Sequence, residues 1–570
     1  MSPSPEVEVP RTVPATSKAA PGRERGAEIL GRFAGGRASV AVVHADGRRD
    51  VATEALRGWV SAGDPAGRSL SSMGEARGQW ALVRAAAEGG RLEAVVDQMG
   101  DEPLYWAERG GTTVVASQLP LLLAELEGLG GRPGPFLPRV LEWIEWGFTD
   151  PTETLFEGVR SVPAGQALVV DASGARLRRY WQPVARLDNG ATVEEWCERL
   201  REGLTGALRR QLPEDGYALL LSGGLDSSTV AGWIAGDPTL PQPRVAASLR
   251  YPGLPSDESE YQDAVLRLTG FESLVVEPQP FDAETFVARV RAGASPVALA
   301  APETDALYGV LSARGIDTAV SGVGGDELFA PIRWGLEELV LQGRWATIGR
   351  WWRTQGWAGM RRELRRRVPY LGVPGTRELR ARRRKPEWAT EAAARRYLGT
   401  RLVPRRSLPG RHATGRERAE FLESATILNG RASDANRSRF SGVELRAPLF
   451  DVELVELALR IPDSLRHAEG DSRWLQRTAF GSQLPREVRE RRGKVHFDYR
   501  YAQHLQGPWV RDQLEGSRLV AAGLLDGAEV MAAYEELATA VETNIEAIPY
   551  LAGPLWRIVG LETWWREFAE

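Results

Sequence analysis

From about Ala27 to Pro183, apolar and polar positions alternate in short runs broken by glycine, as in "ASVAVVHADGRRD" and "VPAGQALVVDASGARLRRYW". A period of two predicts antiparallel strands, and the glycine breaks predict hairpins. Near "QPVARLDNGATVEEW" the pattern changes. From there, helical spacing such as "VEEWCERLREGLTGALRRQL" alternates with the apolar runs "YALLL", "RVAASLRY", "SLVVEPQ" and "DTAVSGVGG", which implies βα units around a parallel sheet. Past Leu328 the spacing is mostly helical. Three segments are expected: a disordered tail at 1–26, rich in Pro, Ser and charge, an all-strand-like unit at 27–185, and an α/β unit with a helical end at 186–570.

Composition narrows the setting. With 570 residues, 43% hydrophobic, 26% charged and a net charge of -4, the chain is expected to be a soluble globular protein of two or more domains. That balance does not suggest nucleic acid as a partner. A single cysteine, Cys197, excludes an intramolecular disulfide framework, and five histidines give no zinc spacing. No apolar window reaches membrane-spanning length, so a cytoplasmic protein without a membrane partner is expected.

The chemistry is concentrated at two strand ends. In "YALLLSGGLDSSTVAGWIA" an apolar run empties into Ser222, Gly223 and Gly224, passes Asp226, Ser227 and Ser228, and resumes at helical spacing. A glycine turn opening a helix presents backbone N–H groups to an anion, with phosphate the obvious guest. "IDTAVSGVGGDELFA" repeats the arrangement with Ser321, Gly322, Gly324, Gly325 and Asp326. Ligands in doubly wound sheets sit at the carboxyl ends of strands, so the two turns can face one crevice. Each brings a carboxylate to a phosphate site, and that repulsion calls for a cation; Mg²⁺ takes one or two protein carboxylates plus phosphate oxygens. The pair predicts magnesium-bound ATP.

"SGGLDSS" followed by "SGVGGDELF" resembles the asparagine synthetase superfamily, the amide-forming branch of the N-type ATP pyrophosphatases. "SGVELRAPLFDVELVELALRIPDSLR", "LPREVRERRGKVHFD" and, in the first unit, "VVDQMGDEPLYW" extend the likeness over most of the chain. The resemblance implies a glutaminase-like α+β sandwich of the N-terminal nucleophile type, followed by an α/β synthetase domain with a parallel sheet. It implies adenylation of a carboxylate, loss of pyrophosphate, and capture of the acyl-adenylate by an amine. Ser222, Gly223, Gly224 and Ser227 would hold pyrophosphate, Asp226 and Asp326 the magnesium, and Leu220, Ser321 and Gly322 the adenosine. Lys494, in "RRGKVHFD", matches the family lysine at the reacting phosphorus.

The nitrogen source is read from departures. Glutamine-dependent members expose a cysteine after the initiator methionine, whereas residue 2 here is Ser2, so the first domain is expected to keep the glutaminase fold without its activity. Val323 stands where asparagine synthetases have glutamate and β-lactam synthetases tyrosine. Asp434, in "RASDANRSRF", is the candidate general base, offset from the family's glutamate. These departures resemble the lasso peptide cyclases, macrolactam synthetases that join an Asp or Glu side chain of a precursor peptide to its own α-amine. The implied partners are that core peptide, a leader-peptide protease and a leader-binding protein. The basic, aromatic segment 350–388 and the nineteen tryptophans suit a large peptide cleft. A synthetase acting on a small amino acid derivative, and a catalytically dead peptide-binding scaffold, are the alternatives.

Overall fold

The computed structural model describes residues 28–569 apart from 332–342, 354–387, 398–412, 492–497 and shorter breaks. The tail at 1–26, Lys494 and most of the basic segment at 350–388 lie outside the described residues.

The alternating pattern folds as two stacked antiparallel sheets. One has six strands in the order Arg49–Ala52, Arg37–Val43, Glu28–Ala34, Thr112–Ala116, Tyr105–Arg109 and Arg160–Ser161. The other has five, Gly174–Arg179, Gln166–Asp171, Leu92–Val96, Arg77–Ala85 and Glu54–Ala62. Their facing residues, among them Ile29, Val83, Ala94, Trp106, Val115 and Leu168, form the filling of the sandwich.

The second unit is built on a five-stranded parallel sheet, in the order Ser273–Val276, Val245–Leu249, Ala218–Leu220, Thr318–Val320 and Glu444–Arg446. Four of these strands are the apolar runs of the sequence. The fifth comes from a region read as mostly helical, because three residues at a sheet edge carry no periodic signal of their own. Helices Val193–Gln211 and Leu225–Gly236 pack beside the sheet, and the capping box of Thr192 and Glu195 fixes where the first begins. Cys197 is buried on that helix.

The two units share a core. Leu119, Trp143 and Phe156 of the first pack with Trp556 and Trp564 of the carboxy-terminal helix Ile548–Phe568. Trp80, Trp196, Trp556 and Trp564 are among the largest fully buried side chains, so much of the tryptophan content is core rather than cleft. Polar clasps complete the junction. Helix Ala425–Ser441 reaches the sandwich through Arg431 to Asp101, Arg439 Nη2 to Glu102 at 2.7 Å, and Asn429 Nδ2 to the Thr149 carbonyl at 2.9 Å. Among the described residues no helix is long and apolar enough to cross a membrane.

Candidate active site

The strand Ala218–Leu220 lies at the centre of the parallel sheet, paired with Val245–Leu249 on one side and Thr318–Val320 on the other. Both glycine turns therefore leave neighbouring strands at the same sheet edge. After the first, Gly223 takes a left-handed φ of 81°, which glycine adopts without strain. Gly224 then begins helix Leu225–Gly236 with no side-chain cap, so the first-turn amides remain for a ligand at that end. Two hydroxyls brace the turn: Ser222 Oγ lies 2.9 Å from Ser227 Oγ, and Ser227 Oγ accepts from Ser222 N at 3.2 Å.

The second turn is pressed against the first. A Cβ on Gly322 would lie 2.4 Å from Ser227 N, and one on Gly325 would lie 2.0 Å from Asp226 Oδ1. At Gly322 the backbone of the first turn fills the space a side chain would need, so glycine is required there, whereas at Gly325 it is the Asp226 carboxylate that would have to move. Gly325→Ala is therefore expected to push the Asp226 carboxylate aside and lower nucleotide turnover about 100-fold, while circular dichroism stays native. Wild-type turnover would show that the contact is immaterial.

Asp226 and Asp326 converge on one cation. Arg473 Nη1 donates to both Asp226 oxygens at 2.7 Å, and the same guanidinium is ion-paired with Asp326. Gln476 Nε2 adds a bond to Asp226 Oδ1 at 2.9 Å. Arg473 holds a left-handed φ of 58°, unusual for a residue with a side chain, just before helix Trp474–Phe480.

The fit to magnesium rests on this donor set. Two carboxylates on a common positive charge, beside a cradle of backbone amides, are what a hydrated magnesium carrying phosphate oxygens needs, and the guanidinium marks where positive charge is wanted. Among the described residues no cluster of three or more His, Cys, Asp or Glu could hold a metal by itself. A metal here would therefore share its coordination with phosphate.

Around the turns lies a cavity of about 830 Å³, lined by Leu220, Ser222, Gly224, Asp226, Ser227, Ser321, Gly322 and Asp326. Of the residues singled out in the sequence, Gly223 lies on the same turn, while Asp434 stands elsewhere, on helix Ala425–Ser441, where its carboxylate accepts from Arg437 Nη2 at 2.7 Å. Arg473, Arg477 and Arg491 also line the cavity and escaped the sequence reading. Arg491 pairs with Glu258 at 2.6 Å and lies over the Tyr261 ring at 4.1 Å, which sets it beside the Gly223 turn. The available signal was the density of arginine in "GDSRWLQR" and "REVRERRGK". Near Arg437, burial pushes the Asp305 carboxyl up to about 6, against the pull of its partner Arg289 at 2.9 Å.

Residues 199–566 match the family model described as asparagine synthase. The chain belongs to the asparagine synthase family. In this asparagine synthase family member, residues 66–181 also match the model described as a glutamine amidotransferase domain. The amidase chyE of Penicillium rubens is 30% identical over 171 residues, 29% of this chain and 24% of that protein. The amidase chry2 of Gibberella zeae is 29% identical over 283 residues, 46% of this chain and 40% of that one. A glutamine-hydrolysing asparagine synthetase of Bacillus subtilis is 26% identical over 149 residues, 25% and 23% of the two chains. The chain thus spans less than half the length of the curated relatives it matches.

Proposed function

We propose that this chain is an ATP-dependent amide synthetase that activates a carboxylate with loss of pyrophosphate, and that it closes a macrolactam within a precursor peptide. The observation that carries the first part is the contact between the two glycine turns, which brings Asp226 and Asp326 onto one cation beside an uncapped helix start. Magnesium bound there would neutralise the carboxylates and draw charge from the phosphoryl oxygens. The amides after Gly224 and the hydroxyls of Ser222 and Ser227 would hold the departing pyrophosphate. Arg473 and Arg491, with Lys494, would supply positive charge where the phosphoryl oxygens gain electrons.

The second part is supported by two of the described residues. Val323, 43% exposed on the cavity wall, has no proton to exchange, and Asp434 is engaged by Arg437. An α-amine already fixed within the substrate needs little more than proximity, since holding two reacting groups together is itself worth many orders of magnitude. The decisive experiment supplies magnesium, ATP and candidate core peptides, and follows AMP, pyrophosphate and peptide mass. Loss of one water from a peptide together with AMP release supports the cyclase. Turnover only with small amino acid derivatives would move the assignment to an asparagine- or β-lactam-type reaction, and absence of turnover with every substrate would leave a peptide-binding scaffold. Glutamate release from glutamine is expected to be absent, and its detection would restore glutaminase activity to the first domain.

A further inference from the structure

A second large cavity, of about 590 Å³, lies between the sandwich and the helices of the synthetase unit. Trp143, Trp146, Phe148 and Trp556 line it. Trp146 is 37% exposed and stacked on Phe148 with ring centroids 6.2 Å apart, an aromatic pair standing where the cavity meets solvent. Protein interiors close to near-crystalline packing, and this junction is clasped by the ion pairs of Asp101 and Glu102, yet it leaves the cavity open. A void of this volume, aromatic-lined and set at a domain junction, has the dimensions and wall chemistry of a ligand pocket. Ammonia or another molecule of water's size, roughly 30 Å³, would not need it.

The cavity adjoins the ATP site. Arg437 lines it, and Arg437 Nη1 donates at 3.3 Å to Thr304 Oγ1, which lines the 830 Å³ cavity. Among the described residues Arg437 Nε is buried with no hydrogen-bond partner, so a donor stands ready at the partition. We propose that the interdomain cavity is a specificity pocket for an aromatic side chain of the substrate, whose reacting group lies beyond Arg437 at the ATP site. Trp146 and Phe148 receive the ring by offset and edge-on contact, with the buried Trp143 and Trp556 behind them, and the Arg437 guanidinium meets either its π face or a neighbouring carbonyl of the same substrate.

This rests on the amide-synthetase reading, and binding measured without nucleotide separates the two. A Cβ on Gly553, which lines the cavity, meets nothing within 4 Å, so a larger side chain can grow into the space from helix Ile548–Phe568 without backbone strain. The full chain is titrated with L-tryptophanamide, L-phenylalaninamide and glycinamide by saturation-transfer NMR, in the wild type, Gly553→Phe and the fold control Gly553→Ala. The aromatic amides are expected to bind at least tenfold more tightly than glycinamide. Gly553→Phe is expected to weaken them tenfold or more, with the affinity for magnesium-ATP unchanged by calorimetry. No aromatic preference, or full retention of it in a native Gly553→Phe, overturns the pocket. Aromatic binding without pyrophosphate release from any substrate would keep the pocket and sink the synthetase reading instead. Should Gly553→Phe lose its native circular dichroism, Gly430→Trp is the second variant, since Gly430 also lines the cavity and its Cβ position is open.

Discussion

Replacing Asp226 or Asp326 by Asn is expected to reduce magnesium-dependent pyrophosphate release by roughly 1,000-fold or more, with the fold intact. Each substitution keeps the side-chain volume and an oxygen that can accept from Arg473, and it removes only the negative charge. Asp226 is largely buried against Gly325 and held by Arg473 and Gln476, whereas the Asp326 side chain is 41% exposed. Asp326→Asn should therefore leave the urea midpoint unmoved, while Asp226→Asn should lower it slightly, because an ion pair becomes a hydrogen bond from the charged guanidinium to a neutral amide oxygen. The catalytic losses should be alike, since both carboxylates would hold the metal. Raising magnesium should recover part of the activity if the loss is one of metal affinity. Wild-type pyrophosphate release in both variants would remove the metal from this pair of turns.

The legible part of this site was its glycines and carboxylates. "SGGLDSS" and "SGVGGDELF" announce themselves locally, because a turn that must take positive φ or admit another turn closely can use only glycine. Why the second motif needs Gly322 and Gly325 became clear only in three dimensions, where Ser227 and Asp226 occupy the space of their missing side chains. Arg473 was not legible. Its role depends on the chain returning to the sheet edge 247 positions after Asp226, and nothing local distinguishes it from the many surface arginines. The same limit hid the strand Glu444–Arg446, which is defined by pairing with Thr318–Val320 and not by any period.

The sandwich was legible as a class of fold, through alternation and hairpin glycines, but its use was not. Its contact with the synthetase unit is made by single residues, Asp101 in "DQMGDEPLYW" and Arg431 in "LNGRASDANRSRF", that look like ordinary surface charges in sequence. Both are buried at the junction. A glutaminase-like domain that supplied no nitrogen would still have a physical task here: helix Ala425–Ser441, which it anchors, carries Arg437 at the partition between the two cavities.

That anchoring role makes Asp101→Ala the substitution expected to cost the most stability. The side chains of Arg431 and Asp101 are 5% and 8% exposed, and Arg431 Nε and Nη1 have no hydrogen-bond partner among the described residues. Burial pushes the Asp101 carboxyl up on balance, against the downward pull of the adjacent guanidinium. Removing one partner leaves a charge buried over the Phe450 ring, 4.6 Å from its centroid, at a cost of about 3–5 kcal/mol. The double variant Asp101→Ala, Arg431→Met should regain most of that loss, because an apolar chain of similar length replaces the orphaned charge. Urea unfolding of the three proteins measures both effects. If Asp101→Ala moved the midpoint no more than an exposed charge does, the ion pair would not be what holds the helix. If the double variant regained its stability yet released pyrophosphate slowly with peptide substrate, the clasp would be placing Arg437 as well as supporting the fold.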